Sequence, residues 1–256
     1  MINLPLWATV LVCTWNLRDF GKTKTDKQLL YIANTIKHCD VIALQEVVAG
    51  AGGAQAVAKL AQQLNRSGER WDYVISEPTS SSAYKKERYA FLWKTKRLTK
   101  VGAARLEKEY HQQIDREPYY IDLRYGDKLF TLAGFHAITK KMQPEREVKY
   151  LRYVSALKAP HPLVFCGDFN LPATHSVFNP LKKMGYTAVL HQQKTSLKKT
   201  CKAGNCLASE FDNIFIPGKG LRLIRSGVIH FYRDFVIFGD ARSISDHIPV
   251  FAELDF

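Results

Sequence analysis

The sequence predicts an α/β (α+β) fold in which two packed β-sheets are covered on the outside by helices. Three observations support this prediction. Short apolar runs rich in β-branched and aromatic residues recur along the whole chain, and amphipathic helix patterns lie between some of them. In addition, 46% of the residues are apolar and 12% are aromatic, which is enough for a large core.

Seven short apolar runs predict buried strands. Each contains β-branched or aromatic residues and is bounded by turn-forming residues or charges, as buried strands are. In chain order these runs are 9–15, 41–44, 89–93, 128–135, 163–166, 211–216 and 248–254. Hairpin-like pairs of strands are expected in much of the remaining chain.

Apolar residues spaced three or four positions apart predict three helices. Their approximate ranges are 29–38, 55–65 and 144–157. The third begins with Pro144, which suits the first turn of a helix, and its apolar repeat is Val148, Leu151 and Val154.

The chain is expected to form one domain over residues 1–256. No linker rich in Pro, Gly or Ser divides the sequence, and no repeat of fixed period stands out. No apolar stretch reaches the roughly 18 residues that a membrane-spanning helix needs. The apolar segment 4–12 lacks a basic start and a clear cleavage site, so it is not interpreted as a signal peptide.

The charge balance favours an anionic partner. Lys and Arg total 37 against 24 Asp and Glu, which gives a formal net charge of +13. A positive field of this size attracts polyanions and accelerates encounter with them. Nucleic acid is the first candidate and an anionic membrane the second, while a merely solvated surface is the alternative from charge alone.

The five cysteines do not have the spacing of a zinc site. Cys13 and Cys166 lie in apolar runs and are interpreted as small core residues. Cys201 and Cys206 are close together in a polar segment, where either a disulfide or two free thiols is compatible with the sequence.

Polar residues fall at, or just beyond, the ends of the predicted strands. These positions are Asn16, Glu46, His136, Asp168, Asn170, Asp212 and Asp246-His247. Strand ends in layered sheets meet at one rim, and rims and loops held by such scaffolds commonly carry binding and catalytic groups. We therefore expect these residues to gather at one rim, although taken singly most of them are more typical of a turn or a structural hydrogen bond.

Together these residue types match the needs of phosphodiester cleavage. Glu46, Asp168 and Asp246, with the amides Asn16 and Asn170, offer hard oxygen ligands that suit Mg²⁺, Mn²⁺ or Ca²⁺ rather than zinc. A cation neutralises phosphate oxygens, and an imidazole can transfer protons to and from water and the leaving oxygen. His136 and His247 supply two imidazoles.

These motifs, in this order, resemble the endonuclease/exonuclease/phosphatase superfamily and, within it, the deoxyribonuclease I-like endonucleases. The likeness runs from about Val10 to Leu254 and includes segments beyond the strand ends. These segments are 16–21 (NLRDFG), 74–78 (VISEP), 86–89 (KERY) and 116–118 (REP). The fold implied by the resemblance is a four-layer αββα sandwich of two mixed sheets flanked by helices.

The resemblance also implies roles. His136 oriented by Glu87, and His247 oriented by Asp212, would be the catalytic imidazoles, since a carboxylate behind an imidazole fixes its tautomer and raises its basicity. Glu46 would hold the metal ion, Mg²⁺ or alternatively Mn²⁺ or Ca²⁺. The metal and scissile-phosphate site would be completed by Asn16, Asp168, Asn170 and Asp246. Substrate phosphates would be contacted by Arg18, Arg116 and Asn170.

Two departures from the family pattern affect how DNA would be held. Val48 stands where the family carries an arginine that enters the minor groove, and one extra residue before Glu87 shifts Tyr84 from the family's groove-contacting tyrosine. Tyr84 and Lys86 stay candidates for DNA contact. Further candidates for backbone affinity are Lys85, Lys140, Lys141, Lys198 and Lys199. The glycine-rich stretch 50–53 is interpreted as a flexible loop, because it lacks a phosphate-loop lysine.

The leading functional hypothesis is a metal-dependent DNA endonuclease with little sequence preference. Double-stranded DNA is the expected partner, RNA is an alternative, and a monomer without stable membrane insertion is expected. Three rival hypotheses are a phosphoinositide or sphingomyelin-type phosphoesterase, an abasic-site repair enzyme, and a non-catalytic nucleic-acid-binding relative. The first needs an apolar membrane-binding loop with clustered aromatics, and none is evident in the sequence. A non-catalytic relative would have lost a catalytic histidine or a metal-binding acid, and all of these residues are present in the sequence. The resemblance favours secretion.

Overall fold

The computed structural model describes residues 9–81 and 86–256. In chain order its strands are β1 (Thr9–Phe20), β2 (Val41–Val48), β3 (Trp71–Ile75), β4 (Glu87–Lys94), β5 (Thr99–Leu106), β6 (Tyr119–Tyr125), β7 (Lys128–His136), β8 (Leu163–Asp168), β9 (Tyr186–Ala188), β10 (Leu197–Lys202), β11 (Asn205–Leu207), β12 (Asp212–Pro217), β13 (Arg222–Val228) and β14 (Val250–Asp255). The α-helices are α1 (Asp26–Ile36), α2 (Ala51–Asn65), α3 (Glu145–Val148), α4 (Asn179–Lys183) and α5 (Phe238–Ile244). Short 3-10 helices cover Lys140–Met142, Lys149–Arg152, Ser155–Lys158, Ser176–Phe178 and Phe231–Asp234.

The strands form two mixed six-stranded sheets. The first has the order β13-β14-β1-β2-β4-β3, and the second has the order β5-β6-β7-β8-β12-β9. Near the middle of each sheet one pair of neighbours is parallel, β1 with β2 and β7 with β8. A separate hairpin, β10-β11, extends from the chain between β9 and β12. All seven predicted strands are present, with ends shifted by a few residues.

Alternating side chains of β1 build two cores, because successive residues of a strand point to opposite faces. Val10 and Val12 pack into a core between the two sheets, whereas Cys13 and Trp15 pack towards the helices α1, α2 and α5. A third core lies between the second sheet and the helices α3 and α4. The layers are therefore helix, sheet, sheet and helix, which confirms the predicted four-layer sandwich.

The first two predicted helices are confirmed, and α1 shows why it begins where it does. Thr25 and Gln28 form a capping box, in which the Thr25 hydroxyl accepts from the Gln28 N–H at 3.3 Å and the Gln28 side chain accepts from the Thr25 N–H at 2.9 Å. The glycine-rich stretch 50–53 is not a loop, because Gly50 caps α2 and its neighbours form the first turn of that helix.

The third predicted helix is wrong beyond Val148. Only α3 is α-helical, and the chain continues in 3-10 turns. The apolar residues Val148, Leu151 and Val154 are all buried. Their strict spacing of three matches the three residues per turn of a 3-10 helix, in which positions i and i+3 eclipse. The pattern identified the buried face but not the type of helix.

The cysteine predictions have three different outcomes. Cys13 is buried in the core as predicted, and it forms a disulfide with Cys39 that was not predicted. Cys39 lies in the turn before β2, where the Asp40 N–H donates to the Leu11 carbonyl at 2.8 Å and holds the turn against β1. Cys201 and Cys206 form a disulfide across the β10-β11 hairpin, and Cys166 is a buried free thiol as predicted.

Candidate active site

The polar residues predicted at strand ends meet at one rim of the sandwich. Strand pairing brings three of them side by side in the second sheet, because His136 on β7 is in register with Asp168 on β8, and Asp168 is in register with Asp212 on β12. From the first sheet, Asn16 on β1 reaches across to Asp168, with 3.1 Å between its Nδ2 and Oδ2 of the carboxylate. The two sheets together therefore form the site.

One imidazole is held by a buried carboxylate. Nδ1 of His136 lies 2.9 and 3.0 Å from the two carboxylate oxygens of Glu87. Arg116 donates to the same carboxylate at 3.1 Å and to the Ala137 carbonyl. The Tyr89 hydroxyl accepts from the His136 N–H at 3.1 Å and donates to the Arg116 carbonyl at 3.0 Å. These contacts fix the ring and leave its Nε2 facing the rim.

The second imidazole has a matching partner. Nδ1 of His247 lies 2.7 Å from Oδ2 of Asp212. The Thr195 hydroxyl donates to that same oxygen at 2.7 Å and accepts the Asp212 N–H at 2.9 Å. Ser245 accepts the His247 N–H at 3.0 Å and donates to the Asn16 carbonyl at 2.6 Å, so the loop before β14 is tied to β1.

Both rings point their free nitrogens at one oxygen atom. Oδ2 of Asp168 lies 3.5 Å from Nε2 of His136 and 3.7 Å from Nε2 of His247. The other oxygen of Asp168 accepts the Asn170 N–H at 2.8 Å. Asp168 is buried, and it lies between two imidazoles that are each backed by a separate carboxylate.

The charges of this cluster shift one another's pKa values. Burial raises the pKa of Asp168, but His247 and His136 outweigh burial and hold it below its ordinary value. Burial lowers the pKa of His247, but Asp212 and Asp168 raise it well above the ordinary value for histidine. Burial and Arg116 lower the pKa of His136, but Glu87 and Asp168 outweigh them, so the pKa lies above the ordinary value for histidine. Asp168 and the two imidazoles therefore stabilise one another's charged forms.

Unusual backbone conformations place several of these side chains. Glu46 and Asn170 have positive φ angles of 59° and 51°, which cost energy for residues with a Cβ and cluster at functional sites. Gly167 has a φ of 142°, and a Cβ there would lie 1.9 Å from the Phe135 carbonyl oxygen. Only glycine allows β8 to approach β7 this closely next to Asp168.

The oxygen-rich side chains fit a divalent cation. One ligand atom each from Asp168, Asp212 and His247 lie within 4.8 Å of one another. Asn16 Nδ2 links Asp168 to Glu46, whose Oε1 lies 3.0 Å away. Oδ1 of Asn16 and Oδ1 of Asp212 are buried and lack a hydrogen-bond partner within the described residues. Buried unpaired oxygens are costly, and a hard cation is one partner that satisfies them.

Not every predicted site residue joins this network. Asp246 directs its carboxylate to Arg242 at 3.4 Å. Arg18 is half-exposed and lines a cleft of about 860 Å³, and Lys86 lines another of about 330 Å³ together with Glu46. Tyr84 and Lys85 lie outside the described residues. The assigned roles of all these residues stay predictions.

Sequence reasoning missed three residues that hold the imidazoles, namely Thr195, Ser245 and Tyr89. A hydroxyl carries no signal of its own, whether in a polar segment or, as for Tyr89, in an apolar strand, and most of the contacts join residues far apart in the chain. For Ser245 a weak signal existed, because it directly precedes the predicted Asp246-His247 pair. Its complete burial shows that it is part of the framework rather than a surface turn.

A model of the Endonuclease/Exonuclease/phosphatase family matches residues 13–247. The chain belongs to this family. The matched range contains both imidazoles with their carboxylates and extends over nearly the whole sandwich. This family member is therefore a hydrolase of the nuclease and phosphoesterase class, and the predicted superfamily is confirmed.

Several relatives of similar sequence carry deoxyribonuclease names. Deoxyribonuclease-1 of Bos taurus is 25% identical over 270 residues, which cover 96% of this chain and 93% of that protein. Deoxyribonuclease gamma of Rattus norvegicus is 27% identical over 269 residues, which cover 93% of this chain and 82% of that protein.

The fold is shared with solved structures. An endonuclease/exonuclease/phosphatase family protein from Bacteroides thetaiotaomicron superimposes with a TM-score of 0.69 at 17% identity. The match covers 97% of this chain and 98% of that one. At this identity the likeness shows that the family member has the same architecture as the solved protein.

Proposed function

We propose that this family member is a divalent-metal-dependent endonuclease that hydrolyses phosphodiester bonds of DNA with little sequence preference. The observation that carries the proposal is the convergence of two carboxylate-backed imidazoles on Asp168, at 3.5 and 3.7 Å. The relatives support DNA as the substrate class, because the chain matches Deoxyribonuclease-1 over 93% and Deoxyribonuclease gamma over 82% of their length.

The imidazoles supply proton transfer. Each donates its Nδ1 proton to a carboxylate, Glu87 or Asp212, so its Nε2 is the atom that acts at the rim. One ring takes a proton from the attacking water as the new oxygen–phosphorus bond forms. The other gives a proton to the leaving oxygen as the ester bond breaks. Asp168 between them holds both rings in position.

The cation would be held by Glu46 and Asp168, with Asn16 and Asp212 as further oxygen donors. When bound, it neutralises charge on the phosphate oxygens and stabilises the transition state. Mg²⁺, Mn²⁺ and Ca²⁺ all suit carboxylate and amide oxygens. Asp246 stays a candidate ligand, although its carboxylate contacts Arg242 at 3.4 Å.

Cationic side chains beside the rim support a DNA substrate. Two clefts share Val48 in their lining: one contains Glu46, and the other is lined by Arg18, Lys22 and Arg242. The chain as a whole carries a formal charge of +13. Cations of this kind bind phosphates without reading bases. Because Val48 lines both clefts, an apolar side chain stands where the family pattern has a groove-binding arginine. This supports low sequence preference.

A lipid substrate is less well supported. Over residues 9–81 and 86–256 the most exposed apolar pair is Val236 and Ile237, in the loop before α5. Both are aliphatic, and their aromatic neighbours Phe235 and Phe238 pack partly against the core beneath the helices. Asp234 and Asp240 lie close by, so the loop does not combine fully exposed aromatic rings with the cationic surroundings that anchor proteins at anionic membranes. No helix within the described ranges is long and apolar enough to cross a membrane.

An oxidising, extracellular location is proposed with the function. The disulfides Cys13–Cys39 and Cys201–Cys206 are of a kind that forms and persists in secreted proteins and is rare in the cytosol. Mass spectrometry of the protein purified from its native host under alkylating conditions tests this. Free thiols at all four positions would contradict it.

A plasmid-nicking assay tests the function directly. The purified chain should relax supercoiled DNA in Mg²⁺ or Mn²⁺, and EDTA should abolish the reaction until metal is restored. Parallel single-stranded DNA, duplex DNA and RNA substrates define the preference. His247→Ala, expected to lose at least ~10²-fold in turnover, is the control against contaminating nucleases. Cleavage that ignores EDTA, or that survives in the variant, would contradict the proposal.

A further inference from the structure

A buried carboxylate outside the site joins two of its loops. Glu147 on α3 is only 3% exposed. One of its carboxylate oxygens accepts the Asp115 N–H at 2.6 Å, and the other accepts the Ile138 N–H at 2.8 Å. A buried carboxylate with two backbone donors is a rigid link, because losing either donor leaves a costly unpaired group.

The two amides bracket residues of the site. Asp115 directly precedes Arg116, and Ile138 follows His136 and Ala137 at the end of β7. Glu147 therefore connects the loop that carries the guanidinium to the strand end that carries the imidazole.

The same two segments are linked again on the side of the rim. Arg116 donates to the Ala137 carbonyl and to Glu87, and Asn170 also donates to the Ala137 carbonyl at 3.0 Å. A closed ring results, running from Glu147 through Asp115 and Arg116 to Ala137 and back through Ile138. Rings of this kind fix the distance between groups that must meet one substrate.

We propose that Glu147 is a positioning residue that sets the placement of Arg116 relative to His136. It acts through backbone amides and does not touch the substrate. The effect on turnover rests on the proposed phosphodiesterase function, whereas the effect on the backbone does not. Displacing a catalytic group by about 1 Å can cost as much as ~10² in rate, so a link of this kind matters for turnover.

The test compares Glu147→Gln with Glu145→Gln on the same short helix. The Glu145 side chain makes no hydrogen bond or ion pair within the described residues, so it is the matched control. In Glu147→Gln the new side-chain amide retains one acceptor and turns an NH₂ group towards one of the two backbone donors. We expect a loss of about tenfold in kcat on plasmid DNA with little change in KM, and no loss in the control.

A double-mutant cycle with Arg116→Ala separates positioning from general destabilisation. If Glu147 acts through Arg116, Glu147→Gln should cost less than about twofold in the Arg116→Ala background. A full tenfold loss in that background, or a loss in kcat no larger than in the control, would overturn the proposal.

Amide hydrogen exchange gives a readout that needs no activity. In Glu147→Gln the amides of Asp115 and Ile138 should exchange faster, while the amides in the middle of β7 keep their protection. If the wild-type chain cleaves no phosphodiester, the proposed function fails but this measurement still decides whether the link exists. Unchanged exchange at both amides would refute it.

Discussion

Asp212→Asn is the most informative single substitution in the rim. The carboxylate accepts from Nδ1 of His247 at 2.7 Å and from the Thr195 hydroxyl at 2.7 Å, and it is 3% exposed. Asparagine has the same shape but no charge. When its NH₂ group faces the ring, that group donates to Nδ1 of His247, so Nδ1 must accept and the ring proton moves to Nε2. Nε2 is the atom that should exchange protons at the rim.

The expected loss follows from the bond that is changed. A hydrogen bond to a charged group contributes about 1.5–3 kcal/mol, and each 1.36 kcal/mol is about tenfold in rate, so losing it costs ~10–160-fold. The tautomer reversal adds to this, and a carboxylate-to-amide change in a Ser-His-Asp triad costs about 10⁴. At saturating metal we expect kcat to fall between about 10²- and 10⁴-fold, with KM for DNA nearly unchanged because Asp212 lines neither of the clefts beside the rim.

The assay is steady-state cleavage of a fluorescent duplex, with a matched control on the same sheet. Asp122 accepts from Thr131 at 2.6 Å and lies 3.6 Å from a nitrogen of His161, so Asp122→Asn makes the same chemical change. Thr131 is five residues from His136 on β7, about 17 Å along the strand. The control should retain its kcat. A folded Asp212→Asn with kcat within threefold of the wild type would refute the reasoning.

Three further predictions follow from other parts of the molecule. Gly167→Ala should destabilise the fold by about 3 kcal/mol or more in chemical denaturation, because its Cβ would meet the Phe135 carbonyl at 1.9 Å, and a loss under about 1 kcal/mol would contradict the close approach. Replacing both Cys13 and Cys39 by serine should lower the free energy of unfolding by about 2–4 kcal/mol while kcat of the folded protein is retained, and an unchanged unfolding midpoint would show that the bond is not formed. Affinity for duplex DNA, measured by fluorescence anisotropy in EDTA, should fall steeply as salt rises, and a flat dependence would mean that the basic surface is not the DNA site.

Strand positions and the gathering of polar residues at one rim could be predicted from the sequence. Buried strands leave a strong local signal, and in layered sheets their ends lie together, so His136, Asp168 and Asp212 could be placed near one another before their register was known. The local patterns predicted two packed sheets covered by helices, but the assignment to the four-layer αββα sandwich came from the family resemblance, because local patterns do not say which faces of two sheets meet.

What the sequence could not predict depends on contacts between distant residues. The disulfide between Cys13 and Cys39 depends on a turn that is folded back onto β1, and their separation of 26 residues carries no signal of pairing. The contact of Asp246 with Arg242 depends on α5 ending just before the loop, which no apolar pattern had marked. In the sequence Glu147 is one charged residue among others in a predicted helix, although in the structure both of its carboxylate oxygens accept hydrogen bonds from backbone amides.

The measurement closest to the central claim is anomalous diffraction from crystals grown with Mn²⁺. A metal peak should appear at the rim within bonding distance of Asp168, with Glu46 or Asp212 as a second ligand, and it should disappear in Asp168→Asn. A chain that cleaves DNA in Mn²⁺ yet shows no peak at this rim, or binds the metal only elsewhere, would contradict the account.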